Sequence, residues 1–171
     1  MIHDISQSVG TRTAVWPGDH PFIAGWSMRR DAGDAVNVAV ITMSVHTGTH
    51  VDGDYHFSDD GARAGALALE PFIGPATVVD AAGAGVLDLD AVRGLDLAAA
   101  GRILFRTRAQ IDETRFPDPF AAIASELARA LVQASVPLVG TDAPSVDARD
   151  SKTLDAHHIL HAGHVAILEN L

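Results

Sequence analysis

The 171-residue chain has no cysteine, which removes disulfides, thiolate ligands and a cysteine nucleophile from consideration. Any bound metal must be held by nitrogen and oxygen, leaving zinc, manganese, iron or cobalt open. Basic residues are scarce: 12 Lys and Arg stand against 22 Asp and Glu, a net charge of −10. That balance argues against nucleic acid, whose binding depends on clustered Lys and Arg. No window is apolar enough to span a membrane. The N-terminus lacks a basic region followed by an apolar core, so no signal peptide is expected and a cytoplasmic location follows by default. A nucleotide-binding loop is also missing, since Gly83 and Gly85 form only a partial pattern with no Gly-Lys-Ser after it. Without internal repeats or a low-complexity linker, residues 1–171 are expected to form one domain. A composition 47 % hydrophobic and 20 % charged is that of a soluble globular protein with a proper core.

Histidine, by contrast, is plentiful and clustered. Ser44 to Phe57, SVHTGTHVDGDYHF, carries His46, His50, Asp52 and His56 around the turn-forming Gly48 and Gly53. Neutral imidazole is the commonest metal ligand, and a nearby carboxylate adds charge and can bridge two ions. Solvated loop histidines are the bland alternative, which would prevail for one isolated residue; four such groups on one loop point to a metal site. The preceding run, Val36 to His46, is β-branched and alternating, which predicts a strand with His46 at its end. His50, Asp52 and His56 then belong to the following loop, because Thr47-Gly48-Thr49 is poor helix material.

The C-terminal stretch Ser151 to Leu171 points the same way. It predicts a helix from about Leu154 to His161, stopped by Gly163, and then a strand from His164 to Leu168 or beyond. Val165, Ile167 and Glu169 share one face of that strand, and a carboxylate continuing an apolar face needs a cation or donors if buried. His157 and His158 lie one helix-plus-turn earlier, so either could approach Glu169.

The remainder predicts an α/β protein. Ala76–Asp80, Gly101–Arg106 and Pro137–Asp142 read as buried strands. Asp118 as N-cap with Pro119 at the first helical position opens a helix with the stripe Phe120, Ile123, Leu127, Leu131 and Ala134. Leu87 to Leu97 suggests a shorter helix, weakened by Gly94. Trp16 sits on a Pro17-Gly18 turn, where a packing anchor and a substrate contact are both open readings. Asp142 ends a strand, a position where α/β folds often place functional groups, or it caps the following turn.

The run His46-Thr47-Gly48-Thr49-His50-Val51-Asp52 with His56, the earlier Trp16-Pro17-Gly18-Asp19, the segment Gly140-Thr141-Asp142-Ala143-Pro144-Ser145-Val146-Asp147, and Ser151-Lys152-Thr153 with Asp155-Ala156-His157-His158 leading to Glu169 closely resemble the bacterial kynurenine formamidases (arylformamidases) of the cyclase family. The resemblance implies a swivelling β/β/α fold with a mixed sheet, a homodimer and a two-zinc site. The implied reaction is hydrolysis of N-formyl-L-kynurenine to L-kynurenine and formate in tryptophan catabolism. By the same resemblance, His46, His50 and Asp52 are ligands of the first zinc, with Asp52 bridging to the second. His157, preferred to His158 for its distance to Glu169, ligates the second zinc, and Glu169 touches both. His56 is the proton carrier and Trp16 contacts the aromatic ring of the substrate. Members of the family continue for a few tens of residues past the position of Leu171, so the chain is expected to be shortened at its C-terminus, with a sheet edge left unpaired. Two other functions stay open: hydrolysis of a cyclic amide or ester by an isatin-hydrolase-like enzyme, and metal binding without catalysis.

Overall fold

The computed structural model describes residues 3–171. The chain forms two compact units, one running up to His50 and taking in Asp112–Phe116, the other made of Val51–Ile111 and Pro117–Leu171.

The first unit is built on an antiparallel ribbon of β1 (Ile23–Met28) and β2 (Val38–Thr42), with Ile23 opposite Thr42, Trp26 opposite Ala39 and an irregularity between Trp26 and Met28. Its connection is fixed by side chains that substitute for ladder partners: Asp34 accepts from Arg29 N–H at 2.6 Å and Asn37 from Arg30 N–H at 2.8 Å. Every residue of both strands is exposed. The strand predicted to reach His46 ends at Thr42. Ser44 breaks it: its hydroxyl bonds Asp19 at 2.6 Å and accepts from His46 N–H, while its carbonyl accepts from Thr47 N–H. Such local side-chain bonds compete with the ladder, so His46 sits in a turn. Asp112–Phe116 joins this unit through Glu113, whose carbonyl accepts from Ala14 N–H and whose carboxylate accepts from Ser8 N–H.

The chain passes into the second unit at β3 (His50–Val51), so His50 lies in a short strand and not in a loop. There follow β4 (Ala76–Asp80), β5 (Val86–Leu87), β6 (Arg102–Arg106), β7 (Ala122–Ile123), α1 (Ser125–Gln133), β8 (Leu138–Thr141), α2 (Asp155–Ala162) and β9 (Ala166–Glu169). The main sheet has the order β3-β9-β8-β6-β4; β4–β6, β6–β8 and β8–β9 pair in parallel, with Ile103 beside Val139 and Val139 beside Ile167. Parallel pairing here and antiparallel pairing in the ribbon make this a mixed α/β fold. Ile103, Phe105, Val139 and Ile167 meet Leu127 and Leu131 of α1 and Leu160 of α2 in the core. At the end of α2 the backbone runs so close to α1 that a Cβ on Gly163 would lie 2.3 Å from Val132, so only glycine fits.

Three further sequence expectations change. β4 is an edge strand and alternates in burial, Val78 being 65 % exposed, so it is not a buried strand. The helix expected from Asp118 begins at Ser125, because Ile123 N–H is taken by Val146 O and Ala124 N–H by Leu87 O, both at 2.8 Å. Tertiary pairing thereby overrides the Asp-Pro start signal, and Ala122–Ile123 becomes β7 beside β5. Leu87–Leu97 forms β5 and a single 3-10 turn, Leu89–Val92, capped by Asp88 and followed by Gly94 at φ 81°.

Candidate metal centre

The segment after β8 organises the polar interior of the second unit. Asp142, directly beyond Thr141, accepts from Thr107 N–H at 2.9 Å, Thr107 Oγ1 at 2.5 Å and Arg108 N–H at 2.9 Å, which ties it to the chain leaving β6. These bonds run to the chain leaving β6 and not to the turn that follows Asp142, so they describe a tie between strand ends and not the cap that the sequence suggested. Further on, Val146 N–H donates to Glu169 Oε1 at 2.8 Å, and Asp147 accepts from Ala156 N–H and His157 N–H, each at 3.0 Å, and meets His157 Nδ1 at 2.7 Å.

These bonds converge on a buried cluster. Asp52, held by Asp52 N–H donating to Ile167 O at 3.2 Å, stands with His157 of α2 and Glu169 of β9. One ligand atom from each lies within 4.8 Å of the others. His157 Nε2 is 3.4 Å from Asp52 Oδ2 and 3.7 Å from Glu169 Oε1. The three residues are only 5, 2 and 3 % exposed, respectively for Asp52, His157 and Glu169. Glu169 therefore continues the apolar face of Val165 and Ile167 into the interior. His158, one position from His157, faces solvent.

Burial alone would push the His157 imidazole down. Its bonds to Asp147 and Asp52 and the charge of Glu169 outweigh that effect and raise it to about 9. Asp147 moves the opposite way: burial would push it up, but the His157 side chain and the amides of His157 and Ala156 hold its carboxyl below the usual range. Two buried carboxylates around one imidazole nitrogen need a positive charge among them. Without an ion, a proton on His157 would supply it, and the nitrogen and oxygen donors suit a divalent metal ion in its place.

His46 and His50 come together in the first unit. Gly48 O can only accept, so its 2.8 Å contact to His50 Nδ1 makes that nitrogen the protonated one. His50 Nε2 then carries the lone pair, and His46 Nδ1 bonds to it at 2.9 Å. Gly48 permits this turn at φ 68°, where a Cβ would meet Val9 at 2.6 Å. Trp16, half-buried on its turn with Asp19 N–H donating to Trp16 O, packs edge-on against Phe116 at 5.4 Å.

His56 ends a 3-10 turn, Asp54–His56, and is exposed; its ring lies 6.2 Å from that of His157, with Phe57 beside both. A cavity opens next to Asp52, walled by Phe57, Leu67, Phe72 and Ile167 and edged by His161, which pairs with Asp54 at 3.2 Å. Sequence reasoning assigned Asp147 no role. Its signals were its place at the end of the family-like run Gly140 to Asp147 and its spacing of ten residues before a helical histidine, neither of which gives it a role until the loop brings the two together.

Residues 3–148 match the family model Cyclase, described as "Putative cyclase". The chain belongs to the cyclase family. Among cyclase-family relatives, the kynurenine formamidase of Bacillus cytotoxicus (strain DSM 22905 / CIP 110041 / 391-98 / NVH 391-98) is 37 % identical over 98 % of this chain and 80 % of its own length. That of Geobacillus thermodenitrificans (strain NG80-2) is 41 % identical over the same shares. Among solved structures, a predicted metal-dependent hydrolase from Bacillus stearothermophilus superposes with a TM-score of 0.81 at 24 % identity, over 99 % of this chain and 81 % of that one. Isatin hydrolase A from Labrenzia aggregata gives 0.79 at 20 % identity, over 99 % and 79 %. These likenesses establish the cyclase-like α/β fold.

Proposed function

We propose that this cyclase-family chain is a metal-dependent hydrolase of linear aryl formamides that converts N-formyl-L-kynurenine to L-kynurenine and formate in tryptophan catabolism. The observation that carries the reading is the buried Asp52–His157–Glu169 cluster, with His157 Nε2 aimed between two carboxylates. Relatives that are 37 and 41 % identical and bear the name kynurenine formamidase support the substrate.

In this proposal His46, His50 and Asp52 hold one zinc ion, and Asp52, His157 and Glu169 hold a second; manganese or another divalent ion would suit the same donors. Bound there, such an ion supplies Lewis acidity, lowering the pKa of water toward about 7 and polarising the formyl carbonyl. His56, exposed and outside the Asp52–His157–Glu169 group, takes the proton from the attacking water and returns it to the departing aniline nitrogen. That return matters because an anilide ion is a poor leaving group. Trp16, held by Phe116, offers a ring face to the aryl group of the substrate.

The reading extends to a cytoplasmic homodimer. No helix among the described residues is long and apolar enough to cross a membrane. The exposed apolar side chains of the ribbon, among them Ile23, Trp26, Met28, Val40 and Ile41, form the kind of surface that a second copy would cover. The test is formate release from N-formyl-L-kynurenine by the zinc-loaded protein, with and without a chelator. Metal-dependent release supports the proposal. A folded, zinc-loaded protein that releases none rejects it; isatin is then the next substrate to offer, and inactivity on both leaves a metal-binding protein without catalysis.

A further inference from the structure

Within the metal-centre reading, on which this inference rests, one residue outside the proposed ligand set decides which nitrogen of His157 is available. We propose that Asp147 is the positioning residue of the centre, holding His157 as the Nδ1–H tautomer so that Nε2 is presented as the ligand atom toward Asp52 and Glu169. The need for such a residue follows from the surroundings. Asp52 Oδ2 at 3.4 Å and Glu169 Oε1 at 3.7 Å both favour a proton on Nε2, and an imidazole protonated there cannot ligate. A competing acceptor at Nδ1 must therefore be closer and fixed. Asp147 Oδ2 is 2.7 Å from Nδ1.

The carboxylate is also unable to swing away. Its two oxygens accept from the first-turn amides of α2, Ala156 N–H and His157 N–H, each at 3.0 Å. Those amides are orphan donors at a helix start, where a carboxylate is favoured. The chain aims them by entering α2 through Leu154 at φ 46°, a left-handed conformation unusual for leucine, with Leu154 N–H donating to Ser151 Oγ at 3.0 Å. No side chain within that turn caps the helix, so the distant Asp147 serves instead. The neighbouring Val146 N–H holds Glu169 Oε1. Two adjacent residues of one loop thus orient two of the three members of the buried cluster, and of these two only Asp147 acts through its side chain.

The experiment is a double-mutant cycle on zinc affinity, read by competition with a chromophoric chelator, using wild type, Asp147→Asn, His157→Ala and the double variant. Alongside it, ring proton–nitrogen correlation spectra are recorded on the zinc-loaded wild-type protein. Asp147→Asn is expected to weaken zinc binding by about 10–100-fold with His157 present, the range found for such outer partners, and to change it little when His157 is already alanine. An equal loss in both backgrounds would show that Asp147 serves only the fold and would overturn the inference, as would unchanged affinity in Asp147→Asn. The wild-type spectra need no variant to fold: they should show His157 with Nε2 metal-bound and Nδ1 protonated, and the reverse pattern would overturn the inference. If wild type binds no zinc at all, the metal-centre reading itself fails, a result distinct from a zinc-binding wild type with an indifferent Asp147.

Discussion

His46 and His50 stand four positions apart in a half-buried, turn-rich segment and bond to each other, with Nδ1 of His50 on the backbone carbonyl of Gly48. Asp52, His157 and Glu169 come from distant parts of the chain, are buried, and have partners that fix them from behind: Val146 N–H on Glu169 and Asp147 on His157. The difference is one of preorganisation. The compact motif supplies ligand types at good spacing, while the dispersed cluster supplies oriented ligands whose geometry is set before any ion arrives. Metal affinity is therefore expected to reside chiefly in the dispersed half.

The largest effect should come from breaking that half. Glu169→Ala is expected to abolish retention of the more tightly held ion and, by leaving Val146 N–H unsatisfied, to cost about 1–3 kcal/mol of stability. His46→Ala should leave substantially more metal bound. Metal analysis after gel filtration, with denaturant unfolding, checks both; equal losses in the two variants would erase the asymmetry. Next, His56→Ala should lower kcat by about 10²–10⁴-fold with the metal content of wild type. Loss of zinc in that variant would make His56 a ligand.

How far the sequence reached can be judged from the same two halves. His46, His50, Asp52 and His56 were visible because their spacing is local, and Glu169 because a carboxylate continued the face of Val165 and Ile167. Strands Ala76–Asp80, Arg102–Arg106 and Leu138–Thr141 and the helix with its Gly163 stop were legible to within a residue or two. What was hidden depended on long-range bonds. The amides of Ile123 and Ala124 are claimed by Val146 and Leu87, so Asp118-Pro119 starts no helix. The strand after Val36 stops early because Ser44 reaches Asp19. Asp147 gained a role only when the fold placed α2 against it, and the β-branched run after Val36 predicted a strand without saying that both of its faces would be exposed, while Ile23–Met28 was not read as a strand at all.

A change of pH sharpens the comparison further. His157 is raised to about 9, above the ordinary value near 6.5 that it would have unfolded. In the metal-free protein its stabilising contribution is then fully present below about pH 6.5 and is lost as pH rises through about 9, so thermal stability measured in chelator should fall across that window. Metal must displace the same proton, so affinity at this half should rise by about tenfold per pH unit between 7 and 9 and level off above. Calorimetry in buffers of different ionisation enthalpy would detect the released proton; affinity independent of pH would contradict the assignment. The smallest effect belongs to Trp16→Ala, where loss of an aromatic contact of about 0.5–1.5 kcal/mol should raise KM several-fold at nearly constant kcat. An unchanged KM would return Trp16 to a packing role beside Phe116.

The most direct test of the central claim is an anomalous difference map at the zinc absorption edge from crystals of the zinc-loaded protein. The account requires a peak coordinated by His157 Nε2 and by carboxylate oxygens of Asp52 and Glu169. A map whose zinc peaks all lie away from those three side chains would contradict it.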